Sequence, residues 1–235
     1  RAETVFGDLA KLDDRAPQAL RHLIDIYQAE RDWQQAINKA SRYEAVTGES
    51  MGKLIAQFEC ELAERHRAAG ESDQARAAIA RAYAADSHTV RAGMLEGRIE
   101  YDAARYPAAI RAYERAARHD PDYLPDILPS LSVCYERVGD PSGARNFLTE
   151  MCEHYRGIAP VLAMTRLVEA GEGVHAARDY LALQLKERPS VRGEAALIDL
   201  SLADHTDPIA TLHDLKHVTE QLLVRNPSYR CKSCG

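Results

Sequence analysis

The sequence predicts an all-α protein, built as a right-handed superhelical solenoid of repeated helix pairs. One observation is the spacing of five alanines, which fall 34, 39, 34 and 35 residues apart: Ala2, Ala36, Ala75, Ala109 and Ala144. A second is that each interval carries two short stretches with apolar residues at helical spacing. The third is the composition, because only 10 prolines and 6% aromatic residues accompany abundant Ala, Leu, Arg and Glu. Such a composition favours helix over strand.

The clearest unit covers residues 90–121. Its small residues Gly97 and Ala109 fall where the two helices of the pair must approach each other. Tyr113 and Ala116 share one face of the second helix, and Pro121 follows Asp120 at a point where proline ends a helix. This order of small, aromatic and terminating residues matches the tetratricopeptide repeat, a helix–turn–helix unit of 34 residues.

The other units follow in order, beginning with residues 1–12 as the second helix of an earlier repeat. The next unit starts near Pro17, and a five-residue insertion near residues 46–52 precedes a unit that starts near Ala56. The unit around Ala144 comes after the clearest one. Stacking of such units buries apolar faces that no single unit can bury, and leaves a concave inner surface.

The end of the chain is less regular. A degenerate unit is predicted to bury Ala176, Tyr180 and Leu183 on its second helix, and a final pair covers residues 192–203 and 209–224. We therefore assign residues 1–226 to the repeats and residues 227–235 to the first half of a small metal-binding domain. The first residue is not methionine, and we expect the chain to be part of a longer protein.

The first helix of each repeat should line the concave surface. In the clearest unit its second, fifth, ninth and twelfth positions are Arg91, Met94, Arg98 and Tyr101. Two arginines on one helical face, with an aromatic ring one turn further, predict a surface that binds an acidic or mixed peptide of a partner protein. The alternative is an ordinary solvated charged face.

Several function classes find no support in the sequence. The fifth and ninth positions of the repeats hold no lysine or asparagine, so a clamp for a chaperone's terminal carboxylate is not predicted. The chain has no Gly-rich phosphate loop, no H-E-x-x-H and no nucleophile elbow, and we predict no enzyme active site. A net charge of −6 argues against nucleic acid as a partner.

The five cysteines fall into two groups. Cys60, Cys134 and Cys152 lie among apolar residues inside helices and are predicted to be packing residues. Cys231 and Cys234 stand at C-x-x-C spacing before Gly235, so their two thiolates can chelate one metal ion, iron or zinc. A redox dithiol and an accidental pair are the alternatives. A tetrahedral thiolate site needs four ligands, so the site is incomplete in this chain.

Repeats that run directly into Asn226-Pro-Ser-Tyr-Arg-Cys-Lys-Ser-Cys-Gly235 resemble the lipopolysaccharide assembly protein B family. Arg1-Ala-Glu, Trp33-Gln-Gln-Ala-Ile37 and the segment ending at Gln28 carry the same resemblance. It covers the whole chain, and its specific part is the fusion of the repeats to the terminal knuckle. The N-terminal membrane helix, the earliest repeats and the second C-x-x-C of the family are absent from this sequence.

The resemblance implies a non-catalytic adaptor on the cytoplasmic face of the bacterial inner membrane. Its partners would be a membrane-bound ATP-dependent protease and the deacetylase of the lipid A pathway, which the protease degrades. A lipopolysaccharide-sensing inner-membrane protein would counter this activity. In the family the terminal cysteines bind metal in a rubredoxin-like domain, and Cys231 and Cys234 match its first pair.

Two other functions stay open on the sequence alone. One is a generic peptide-binding scaffold for a different envelope complex. The other is a metal or redox module that uses the terminal C-x-x-C, which would require iron with a reversible potential.

Overall fold

The computed structural model of the chain describes residues 17–203 and Glu220. Eleven α-helices and one 3₁₀ turn fill the continuous range, and no strand occurs within it. The helices are α1 (Pro17–Glu30), α2 (Trp33–Thr47), α3 (Gly52–Ala68), α4 (Ser72–Ala85), α5 (Val90–Asp102), α6 (Tyr106–His119), α7 (Leu124–Arg137), α8 (Gly143–His154), α9 (Ala159–Glu172), α10 (Val174–Glu187) and α11 (Val191–Ala203). The predictions for residues 1–12, for the helix at 209–224 and for Cys231 and Cys234 lie outside the described residues.

The chain forms two compact units, Arg1–Asp120 and Pro121–Gly235. In the N-terminal unit, α1 pairs with α2, α3 with α4 and α5 with α6. In the C-terminal unit, a 3₁₀ turn at Pro121–Tyr123 leads into α7 and α8, and α9 pairs with α10 before α11. The predicted class, an all-α protein of repeated helix pairs, is confirmed.

Alanine at the twentieth position of each repeat is what lets the paired helices approach. Ala36, Ala75 and Ala109 have no exposed surface, and Ala144 of the C-terminal unit is 3% exposed. These are the positions from which the repeat was predicted. A larger side chain at any of them would have to displace the neighbouring helix, because protein interiors are close-packed.

The turn between the two helices of a pair is the same in four repeats. Its central residue has a positive φ at Arg31, Gly70, Ala104 and Gly139, with values of 58°, 76°, 56° and 81°. That residue's amide donates to the carbonyl oxygen three residues earlier, and the next amide donates to the one five residues before it. This double hydrogen bond is the Schellman ending of an α-helix. The sequence did not reveal it, since only two of the four residues are glycine.

The core of the N-terminal unit is continuous from α1 to α5. Leu20, Phe58 and Ala63 are fully buried in it. The ring of Trp33, at the first turn of α2, stacks on Phe58 with ring centroids 5.8 Å apart. The C-terminal unit buries Leu131 and Leu148 completely. Stacked helix pairs thus supply the apolar burial that each pair lacks alone.

One helix begins earlier than the repeat unit to which it belongs. The sequence places the start of this unit near Ala56, and α3 begins four residues before that position, at Gly52. Leu54 and Ile55 pack against the core, which extends the helix by a turn. A Cβ on Gly52 would lie 2.5 Å from the carbonyl oxygen of Ala85, so glycine allows the start of α3 to meet the end of α4. The five residues inserted near 46–52 therefore lie partly in the ends of the two flanking helices and partly in the short loop that starts at Gly48.

The predicted register of the degenerate repeat was also wrong. Ala176, Tyr180 and Leu183 were expected on the buried face of the second helix. The structure buries another set on α10: Ala177, Leu181 and Leu185. Leu183 is 59% exposed. On the sequence alone, either Ala176 or Ala177 and any of the leucines at 181, 183 and 185 could face the core. The packing of α10 against α9 determines which of them are buried.

Candidate partner-binding surface

The four predicted contact residues all lie on α5. Arg91 and Arg98 are exposed, and Met94 and Tyr101 are partly buried. Spacings of three and four residues place them on one side of the helix. The structure therefore brings the predicted residues together, and it also shows what surrounds them.

Arg91 is paired with a carboxylate of the neighbouring repeat. Its guanidinium donates to Glu61 on α3 over 2.7 Å, and its side chain is 45% exposed. A partner's acidic group would have to compete with Glu61 for this arginine. In water such an exposed pair contributes about 0.2–1 kcal/mol, so the competition is feasible.

A second set of charges joins the same two helices. Arg67 of α3 donates to Glu64 and, over 2.7 Å, to Asp102 of α5. The hydrogen bonds from Arg67 lower the pKa of the Glu64 carboxyl, and the nearby positive charge of Arg98 contributes in the same direction.

Opposite charges therefore alternate across the gap between α3 and α5. We call this set the charge ladder, and its members are Glu61, Glu64, Arg67, Arg91, Arg98 and Asp102. Five of its six charges are engaged in ion pairs, whereas Arg98 forms none within the described residues, so the ladder presents exchangeable ion pairs and one unpaired guanidinium.

Tyr101 contacts an aromatic ring of its own repeat. Its ring lies edge-on to Tyr106, at the start of α6, with centroids 6.0 Å apart. Such a contact holds Tyr101 in one orientation and leaves part of the ring exposed. Tyr101 therefore places a partly exposed aromatic ring next to the ladder.

A further polar cluster ties α4, α5 and α6 together. The Tyr83 hydroxyl donates to Glu96 over 3.0 Å. Arg115 donates to both the Tyr83 hydroxyl and Glu96, and its guanidinium lies over the Tyr83 ring. Burial, together with the charge of Glu96, raises the pKa of Tyr83 to about 12. Glu100, buried on α5, accepts hydrogen bonds from Arg76 and Arg105. These contacts serve the packing of the repeat.

The C-terminal unit has a groove that the sequence did not predict. Its volume is about 500 Å³, and α7, α9 and α11 line it. Leu162, Ala196 and Leu200 contribute apolar surface, while Arg166 and Asp199 are charged groups of the lining. Small side chains on α11 leave the space open.

The signal for this groove was present but hidden by the register error. With Ala177 as the twentieth residue of its repeat, Leu162, Arg166 and Glu169 take the fifth, ninth and twelfth positions of α9. These are the positions of Met94, Arg98 and Tyr101 in the clearest unit. With Ala176 as the twentieth residue, these three side chains fall one position later in the repeat and do not match the inward-facing positions.

The three cysteines that the structure describes are packed against neighbouring side chains and are wholly or partly buried. Cys60 and Cys134 are fully buried, and burial raises the pKa of each thiol to about 11. Cys152 is partly buried, and burial raises its pKa as well. A thiol with such a pKa is a poor nucleophile near neutral pH. Within residues 17–203 and Glu220, no cluster of His, Cys, Asp and Glu could hold a metal ion.

The helix pairs, their repeated turns and their buried small residues define a tetratricopeptide-repeat protein. No protein-family profile matches the chain. Among curated proteins, lipopolysaccharide assembly protein B of Escherichia coli strain K12 is 30% identical over 237 residues, covering 100% of this chain and 61% of the relative. The Haemophilus influenzae protein of the same name is 27% identical over 240 residues, covering 100% and 60%.

The predicted resemblance to the lipopolysaccharide assembly protein B family is thereby confirmed over the whole chain. The chain spans about three fifths of the length of these relatives.

Solved structures are similar at a lower level. The structure of pilF from Pseudomonas aeruginosa is 19% identical with a TM-score of 0.40, covering 91% of this chain and 93% of the other. A tetratricopeptide-repeat protein from Parabacteroides merdae is 11% identical with a TM-score of 0.41, covering 88% and 79%. In the part of the chain that the structure describes, no helix combines the length and apolar character needed to span a bilayer.

Proposed function

We propose that the chain is the repeat region of a non-catalytic adaptor in lipopolysaccharide assembly. The observation that carries this proposal is its 30% identity, over the full chain, to proteins named lipopolysaccharide assembly protein B. The stacked helix pairs support it, because repeat proteins present extended surfaces for binding other proteins. The charge ladder and the groove of the C-terminal unit are two such surfaces.

In its finer form the proposal names the partners. The adaptor presents the deacetylase of the lipid A pathway to a membrane-bound ATP-dependent protease, on the cytoplasmic face of the inner membrane. A lipopolysaccharide-sensing membrane protein relieves this control. Holding both proteins on one chain raises their effective concentration for each other, so degradation accelerates without a bond-making residue in the adaptor.

The described side chains fit a scaffolding role. Most charges of the ladder are engaged in ion pairs between repeats, and burial raises the pKa of the three described thiols. Arg91, Met94, Arg98 and Tyr101 remain the candidate contacts for one partner. The ion pairs of the ladder can be replaced by ion pairs with a partner's charged groups at little cost in free energy.

Cys231 and Cys234 complete the proposal as half of a metal site. With a second thiolate pair they would hold one iron or zinc ion in a tetrahedral site. Such a site contributes folding free energy, because its ligands are brought together only in the folded protein. We propose that the metal stabilises the small terminal domain and has no redox role.

The test is affinity capture from bacterial membranes with the full-length protein. We expect the wild type to recover the protease and the deacetylase, and Cys231→Ser with Cys234→Ser to lose one or both. Arg91→Gln with Arg98→Gln should weaken recovery of one partner, because it removes the two arginines among the candidate contacts without introducing a negative charge. If the wild type recovers neither protein, the adaptor proposal is wrong.

A further inference from the structure

The groove of the C-terminal unit has the form of a binding site. At about 500 Å³ it falls in the size range of functional pockets in proteins, roughly 300–1,000 Å³. Three helices contribute to its lining, α7 through Pro125, α9 through Leu162, and α11 through Ala196 and Leu200. The floor is therefore apolar and built on rigid elements.

The charged groups of the groove differ from those of the charge ladder. Over residues 17–203 and Glu220, no ion pair or side-chain hydrogen bond involves Arg166, Glu169 or Asp199. Arg192, also in the lining, is paired with Asp122 over 2.8 Å. The groove thus presents two uncompensated carboxylates and one uncompensated guanidinium beside an apolar floor. In the ladder, by contrast, Arg67 and Arg91 are engaged, and of its six members only Arg98 lacks an ion pair within the described residues.

We infer that this groove binds a short amphipathic segment of a partner protein, with an aliphatic side chain on the floor and a basic side chain against Glu169 and Asp199. An acidic residue of the same segment would face Arg166. The positions support this assignment, because Leu162, Arg166 and Glu169 repeat on α9 the spacing of Met94, Arg98 and Tyr101 on α5. Two helices of the chain therefore present side chains from the same repeat positions.

The charged side chains that line the groove determine which kind of peptide segment it favours. The groove's uncompensated charges sum to −1, so a basic group beside the aliphatic one is favoured over an acidic one. The floor lies in a partly desolvated setting, where an ion pair is stronger than on an open surface. A wholly apolar segment would leave Glu169 and Asp199 desolvated without partners, which is costly. Charge thus provides the selectivity, and the floor most of the contact area.

The test is selection of random ten-residue peptides on the immobilised full chain. We expect enriched peptides to carry an aliphatic residue within a few positions of a lysine or arginine. In Glu169→Lys with Asp199→Lys the preference should invert, so that acidic residues replace basic ones beside the aliphatic position. A control with the same change of charge, Glu153→Lys with Glu187→Lys, reverses two exposed carboxylates of the same unit outside the groove. It should select the same peptides as the wild type.

No enrichment over a blank support would overturn the inference, and so would the same preference in the wild type and the lysine variant. Far-ultraviolet circular dichroism of the lysine variant verifies that it is folded, and an inverted preference cannot arise from unfolding. The inference rests on the proposed function only in taking a protein segment as the ligand. Because the selection uses random peptides, it can succeed when capture of the deacetylase fails, and the reverse also holds.

Discussion

At the scale of single residues, Gly97 shows how closely the helices of a repeat approach. A Cβ at this position would lie 2.4 Å from Cε1 of Tyr113, whose side chain is almost fully buried. The ring fills the space that the missing side chain leaves. Gly93, one turn earlier on α5, faces Ala116 of α6 in the same way, with a Cβ distance of 2.9 Å. These contacts explain why small residues recur on the first helix.

We expect Gly97→Ala to destabilise the N-terminal unit. Alanine gains about 1 kcal/mol of helix propensity over glycine, but forcing a methyl group into the Tyr113 ring costs about 1–3 kcal/mol. The net effect should be a lower midpoint in urea denaturation followed by circular dichroism. Gly171→Ala is the control, because a Cβ on Gly171 of α9 meets no atom within 4 Å. It should raise the midpoint, and the same response in both variants would contradict the packing argument.

At the scale of elements, the turn between paired helices carries a strain that two repeats relieve with glycine. Gly70 and Gly139 occupy the left-handed position without cost, whereas Arg31 and Ala104 hold the same conformation with a side chain. A left-handed residue other than glycine costs about 1–2 kcal/mol. The two hydrogen bonds of the turn are kept in all four cases, so the repeat geometry imposes the conformation.

Ala104→Gly should therefore stabilise the protein. Relief of the left-handed conformation exceeds the entropy that glycine loses on folding, and we expect a gain of about 0.5–1 kcal/mol. The neighbouring Ala103, with φ −85°, is the matched control. Ala103→Gly should destabilise by about 0.5–1 kcal/mol, since it only adds backbone freedom to the unfolded chain. Thermal denaturation of both variants decides the point, and a loss of stability in Ala104→Gly would refute it.

The elements also show what a single sequence can and cannot predict. The helix pairs were predictable because buried alanines recur at nearly constant spacing and Pro121 marks a helix end. The register of α10 was not, because Ala176 and Ala177 are equivalent in sequence and only packing buries the second. The ladder escaped prediction for another reason. Arg91 meets Glu61, 30 residues earlier, and such pairing depends on how two repeats lie side by side.

At the scale of the whole molecule, an adaptor needs a separate surface for each protein that it joins. The charge ladder belongs to the N-terminal unit and the groove to the C-terminal unit, and their chemistry differs. The ladder consists mainly of paired charges beside Tyr101, while the groove holds uncompensated carboxylates beside an apolar floor. Under the proposed function, two surfaces of different chemistry would select different partners.

In the proposed function a membrane-bound protease degrades the deacetylase of the lipid A pathway. The most direct measurement is the initial rate of that degradation as the full-length protein is added in increasing amounts. An adaptor that holds both partners should accelerate degradation at low concentration. In excess it should slow degradation again, because protease and deacetylase then occupy different adaptor molecules. We predict this rise and fall. A rate that does not respond, or one that rises to a plateau and stays there, would contradict the account of the protein as a scaffold.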